Sequence, residues 1–407
     1  MPIVALFSGI FSGKQFVLED LIAGTGYKHV TDDDVIKRVG VLTNVSENKI
    51  RRAFSGKTSV FNKFTHEKEC SIAHMRLAVA EMLAEDQLIV DGLTSLLIPM
   101  TIDHVLRVCL IAEMPYRIQQ GRQIRSIDEK EALKIIRQAD SDSAAWVDSL
   151  FSKQDPWDEA LYDIVIPMNS VDKNRAGALI EENLLKDAVR RTVSSEKAQQ
   201  DFLLSSRTAA VLCKAGHDVS VEADDGTVLV NINKHVLMLS RLEEELKSIA
   251  GKVPGVTSVK TKAGKDFHKA NIYRKHNFEV PSRVLLVDDE REFVQTLSER
   301  LQLRDMGSAI AYDGESALNL VREDEPEVII IDLKMPGIDG IEVLKKVKKE
   351  RPEIEVIVLT GHGSESDRKL CMDLGAFDYL QKPVDINHLS EVLKKAHAKI
   401  QGRVPEA

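Results

Sequence analysis

The sequence predicts an α/β chain of several domains, with parallel sheets covered by helices on both faces. Three observations predict this. Val328–Ile331 is a solid apolar run that ends on the single carboxylate of Asp332, as expected of a strand buried on both faces. Apolar runs ending in polar residues recur at 283–287, 355–359 and 377–381, separated by helical patterns as in repeated βα units. A second series of such runs occupies the first ~200 residues, and at 407 residues the chain has room for two to four domains.

In chain order, residues 3–7 form an apolar strand, followed by Ser8-Gly9-Ile10-Phe11-Ser12-Gly13-Lys14 and a helical pattern through Leu18, Leu21 and Ile22. Strand, glycine-bearing loop, lysine and helix make a phosphate cradle, in which backbone N–H groups face the anion and Lys14 reaches the outer phosphates. Ser8 stands where the pattern has its first glycine, and neither Gln15 nor Phe16 offers the hydroxyl expected after the lysine. Residues 87–92, 106–112 and 161–169 read as further strands, and 127–137 as a helical piece before the acidic stretch Asp140-Ser141-Asp142-Ser143. This order resembles the cytidylate-kinase-like family of P-loop nucleoside monophosphate kinases, over residues 1–200. The resemblance implies that Gly9, Gly13 and Lys14 bind the phosphates of ATP or another nucleotide. It also implies that Asp34 lies near the acceptor nucleotide and that Arg117, Arg122 and Arg125 belong to the lid side. Acids at 140–143 would repel a phosphate.

A charge-rich helical region over 181–207 closes this part. Next comes a smaller α+β unit over 207–264. It has an alternating strand at 219–223, an Asp224-Asp225-Gly226 hairpin turn, a return strand at 228–232, a helix over 237–250 and a closing strand at 254–260. It resembles a BON domain, which implies a module that binds a protein partner. Residues 265–281 read as a basic linker, a solvated charge run.

The final strands each deliver one reactive type: acids at Asp288 and Asp289, the lone Asp332, a hydroxyl at Thr360 and an ammonium at Lys382. If these strands are parallel, all meet in one crevice. Clustered acids hold a hard cation, and an ammonium and a hydroxyl neutralise phosphoryl oxygens while a carboxylate attacks. Residues 282–400 resemble a response regulator receiver domain of flavodoxin-like, doubly wound fold. The resemblance implies that Asp332 is the phospho-acceptor and that Asp288, Asp289, Asp332 and the Lys334 backbone carbonyl hold Mg²⁺. It further implies that Thr360 and Lys382 contact the phosphoryl group, that Lys382-Pro383 is cis, that Tyr379 turns inward on phosphorylation, and that a sensor histidine kinase is the partner.

A net charge of −9 argues against bulk nucleic-acid affinity. Four widely spaced cysteines predict neither disulfides nor zinc sites, hence a reduced compartment. No run approaches the roughly 18 apolar residues of a membrane span, and no helix-turn-helix pattern follows the receiver-like segment. The expectation is a cytoplasmic phosphorelay regulator without a direct DNA-binding domain. Its amino-terminal part is either a non-catalytic nucleotide sensor or a working CMP-type kinase gated by the receiver.

Overall fold

The computed structural model describes residues 2–171, 173–234, 236, 238–264, 275–361 and 363–402. It divides into two compact units. The first is drawn from Met1–Thr58, Lys68–Lys214 and Asp218–Tyr273, the second from Ser59–Glu67, Ala215–His217 and Arg274–Ala407.

The first unit is built on a parallel sheet of β1 (Ile3–Ser8), β2 (Lys28–Thr31), β3 (Leu88–Asp91), β4 (Val105–Ile111) and β5 (Ile164–Pro167), in the order β2-β3-β1-β4-β5. Alternate residues of β1 feed different cores. Ile3, Ala5 and Phe7 pack with Trp146 and Met75 on one face, and Val4 and Leu6 pack with Val17, Leu21 and Ile180 on the other. This double burial explains why β1 and β3 read as apolar runs and why β4 is broken only by the buried Arg107. The helix Glu129–Phe151, capped by the Asp128 side chain on the Glu131 N–H, runs straight through the acidic stretch at 140–143. Ala132, Ile136, Trp146 and Val147 keep one face of it buried along its length, so packing overrides the polar composition.

A second, three-stranded sheet belongs to the same unit: β6 (Ser220–Asp224), β7 (Thr227–Ile232) and β8 (Ser258–Ala263), in the order β6-β7-β8. β6 and β7 are antiparallel, and β7 and β8 parallel. The hairpin turns through Asp225 and Gly226, both at positive φ (49° and 79°), the Asp-Gly signature that matches strand twist. Helix Leu239–Ala250 lays Leu242 and Leu246 on Val228, Val230 and Ile232. Its expected start at residue 237 lies outside the described residues, as do residues 265–274 of the basic linker. Helix Val193–Lys214 is unbroken across 200–207. Cys70 and Cys213, 143 residues apart with Cα atoms 5.6 Å apart, are paired, which corrects the expectation of four unpaired cysteines. Cys109 and Cys371 are buried and free.

The second unit is built on β9 (Val284–Val287), β10 (Ser308–Ala311), β11 (Val328–Ile331), β12 (Glu355–Thr360) and β13 (Asp378–Gln381), all parallel in the order β10-β9-β11-β12-β13. Ile329 and Ile331 face one core, Val328 and Ile330 the other. The sheet is therefore doubly wound, and its carboxyl edge is where ligands bind in such folds. β10, with only Ile310 as a large apolar residue, was not expected.

Candidate functional site

At the carboxyl edge of the second unit's sheet, four strands deliver the predicted residues to one crevice. Asp332 follows β11 directly and is buried; its Oδ1 accepts the Leu333 N–H at 2.7 Å. Asp288 follows β9, is buried, and accepts the Glu290 N–H at 2.9 Å. Asp289 is exposed beside it. Each of these three acids offers an oxygen within 4.8 Å of the others, the one such group among the described residues. Thr360 ends β12 and is buried. Lys382, just past β13, sends Nζ to Asp288 Oδ2 at 2.7 Å, Glu290 Oε1 at 2.8 Å and Asp332 Oδ2 at 3.3 Å. The Lys382-Pro383 bond is cis.

Electrostatics follow from this packing. Burial pushes the Asp288 carboxyl up, against the opposing pull of Lys382 and the Glu290 N–H. Burial would lower the Lys382 ammonium, but its bonds to Asp288 and Glu290 outweigh that and hold it above its ordinary value. The loop after β11 closes tightly, since a Cβ on Gly340 would collide with the Asp332 carbonyl. Lys334 lies in this loop, two residues past Asp332, and is exposed. The Tyr379 ring is already buried, its hydroxyl filling the space a Gly363 side chain would need. Glu290 and the Phe293 ring, 4.4 Å from Lys382 Nζ, were missed. Glu290 adjoins the Asp288-Asp289 pair, but its contact lies 92 residues away in sequence.

In the first unit, Gly13 takes a left-handed conformation (φ 85°) and caps the helix that Lys14 begins. Lys14 Nζ lies 2.8 Å from both oxygens of Asp91, which also meets His29 Nε2 at 3.2 Å. Ser8, Gly9, Lys14, Gln15, Arg51, Arg52 and Arg125 line a cavity of about 710 Å³. Two expectations need correction. Asp34 is spent on the cap of its own helix, accepting from Thr31 N and Oγ1, which hold its carboxyl below the usual range. Asp32 lines the cavity instead, held by the Leu93 and Thr94 N–H groups and the Thr94 hydroxyl at 2.7–2.9 Å, and Asp142 of the acidic stretch lines it as well, accepting the Gly56 N–H at 2.9 Å. Arg117 is buried, paired with Asp140 at 2.7 and 2.9 Å and bonded to the Ile10 carbonyl. Asp140 therefore neutralises an arginine, and of the two acids in the 140–143 stretch it is Asp142 that borders the cavity.

Residues 284–394 match the family model of the response regulator receiver domain. The carboxy-terminal part of the chain is similar to response regulator receiver domains. Curated relatives of this segment include the response regulator MprA of Mycolicibacterium vanbaalenii, 34% identical over 31% of this chain and 54% of that protein. The transcriptional regulatory protein CpxR of Escherichia coli K12 is 38% identical over 28% of this chain and 51% of that protein. The chain thus spans about half the length of the curated relatives it matches. A solved receiver domain protein from Clostridium thermocellum is 33% identical, covering 29% of this chain and 95% of that one, with a TM-score of 0.28. Residues 3–170, ahead of the receiver, match the cytidylate kinase-like family model. Among the described residues, no helix is long and apolar enough to cross a membrane.

Proposed function

We propose that this protein is a two-component response regulator phosphorylated on Asp332 by a sensor histidine kinase in the cytoplasm. The observation that carries the reading is Lys382 Nζ standing within 3.3 Å of both Asp288 and Asp332, beside three carboxylates able to share a cation. An Asp332 oxygen forms a bond to phosphorus as the bond from phosphorus to the donor imidazole nitrogen breaks, the imidazole keeping the electron pair. The oxygen-only donor set suits Mg²⁺, and Asp288, Asp289, Asp332 and the Lys334 carbonyl would hold it. When bound, Mg²⁺ neutralises charge on the phosphoryl oxygens. The Lys382 ammonium and the Thr360 hydroxyl bind the same oxygens. Acetyl phosphate with Mg²⁺ tests this: wild type takes label, and Asp332→Asn does not. Equal labelling of the two contradicts it.

The cytidylate-kinase-like domain serves as a nucleotide-binding sensor or output module without efficient turnover. Its cavity presents Lys14, Arg51, Arg52 and Arg125 to an anion, while Gln15 replaces a metal-binding hydroxyl and Arg117 is committed to Asp140. The alternative is an active CMP-type kinase gated by the receiver. ATP calorimetry beside a phosphate-transfer assay on CMP separates the two: binding without transfer supports the sensor, and transfer supports the kinase. The β6-β7-β8 unit, with its Asp-Gly hairpin and covering helix, is a BON-like module for a protein partner.

A further inference from the structure

We propose that Glu290 is a positioning residue for phosphorylation of Asp332: it holds the Lys382 ammonium in the unphosphorylated receiver and releases it when a phosphoryl group arrives. The inference rests on Asp332 being the acceptor. An ammonium has three N–H donors, and Asp288, Glu290 and Asp332 engage the Lys382 Nζ at 2.7, 2.8 and 3.3 Å. The Phe293 ring lies 4.4 Å from the same nitrogen and confines it further. A phosphoryl oxygen on Asp332 takes over the N–H that Asp332 held, and in drawing the ammonium towards itself it competes with Asp288 and Glu290 for the other two.

The three are not equally displaceable. Asp288 is buried, and its other oxygen already accepts the Glu290 N–H, so it cannot turn to water in place of Lys382 as an exposed acid can. Asp332 carries the new group itself. The Glu290 side chain is 64% exposed against 12% for Lys382, and water takes back an exposed carboxylate cheaply. Glu290 also stands outside the Asp288, Asp289 and Asp332 group that could share a cation. Its hold on Lys382 is thus an interaction present before phosphorylation and absent after it. Such an interaction subtracts from the driving force for phosphorylation, so Glu290 sets the donor concentration at which the receiver is half phosphorylated.

The experiment is steady-state labelling of the full chain with acetyl phosphate and Mg²⁺, for wild type, Glu290→Gln, Lys382→Gln and the double variant. Glu290→Gln is expected to lower the half-saturating acetyl phosphate concentration about two- to fivefold, the range for an exposed ion pair. The labelled fraction at saturation and the thermal midpoint stay unchanged. In the Lys382→Gln background the same substitution has no effect, because the cycle isolates the pair. An unshifted or raised half-saturation in labelled Glu290→Gln overturns the inference, and so does an equal shift in the Lys382→Gln background, which would mark a bulk charge effect. A wild-type chain that takes no label overturns the acceptor reading and this inference with it.

Discussion

Lys382 and Lys14 both stand at the carboxyl edge of a parallel sheet with an ammonium against a carboxylate, and they differ in company. Lys382 meets three acids, two of them in a group that could share a cation, with a buried hydroxyl on the neighbouring strand. Among the described residues Lys14 pairs with Asp91 alone, at 2.8 Å, beside a loop in which Gln15 supplies no hydroxyl. The same fold logic places a cation at each edge. On the proposed reading, what else converges there separates a site that accepts a phosphoryl group covalently from one that holds a phosphate arriving with its own chemistry.

The largest effect should come from Lys382. Lys382→Ala is expected to slow acetyl phosphate labelling roughly a hundredfold or more, as removal of a charge-stabilising donor does in a buried site, and initial-rate labelling measures it. Lys14→Ala should leave that rate unchanged. Its effect is expected on nucleotide affinity, a loss of about tenfold by calorimetry, the scale of one charge-assisted bond. If the two substitutions exchanged effects, the contrast between the sites would be void.

Much of this contrast was legible in the sequence, and the gaps have physical causes. β9, β11 and β12 declared themselves because burial on both faces demands unbroken apolar runs, and the reactive residues follow those runs directly. β2, reading Lys28-His29-Val30-Thr31, and β10, reading Ser308-Ala309-Ile310-Ala311, are the outer strands of their sheets. Such strands carry little apolar signal. Among Asp32, Asp33 and Asp34, which carboxylate reaches the cavity depends on how one helix starts: the capping box takes Asp34 and leaves Asp32 facing inward. Cys70 and Cys213 meet across 143 residues, a contact that local spacing cannot encode.

A third prediction concerns stability in the unit that carries the receiver. Burial lowers the His276 imidazole to about 4 from 6.5, while Glu327 pulls it up and His66, Arg283 and His397 push it further down. The folded value lies below the unfolded one, so both states are neutral above pH 6.5 and this term is fully present there. As pH falls from about 6.5 towards 4, the unfolded chain takes the proton first, and of the order of 3 kcal/mol is lost. Glu327 is pushed up by burial but held below its usual value by the His397 bond and by Arg283, which adds loss at the acid end. Denaturant unfolding at pH 7 and pH 5 should show the decline, and His276→Gln should flatten it.

The smallest effect belongs to the hairpin. Gly226→Ala, at φ 79°, is expected to cost about 1 kcal/mol, read as a shift in denaturation midpoint, without changing labelling at Asp332 or nucleotide affinity.

The most direct measurement of the central claim is chemical localisation of the phosphoryl group. The full chain is treated with acetyl phosphate and Mg²⁺, the acyl phosphate is reduced with borohydride, and the peptides are mapped by mass spectrometry. The account predicts one reduced carboxyl, at Asp332, absent when Mg²⁺ is removed. Reduction at Asp288 or Asp289 instead, or none at all in the presence of Mg²⁺, would contradict it.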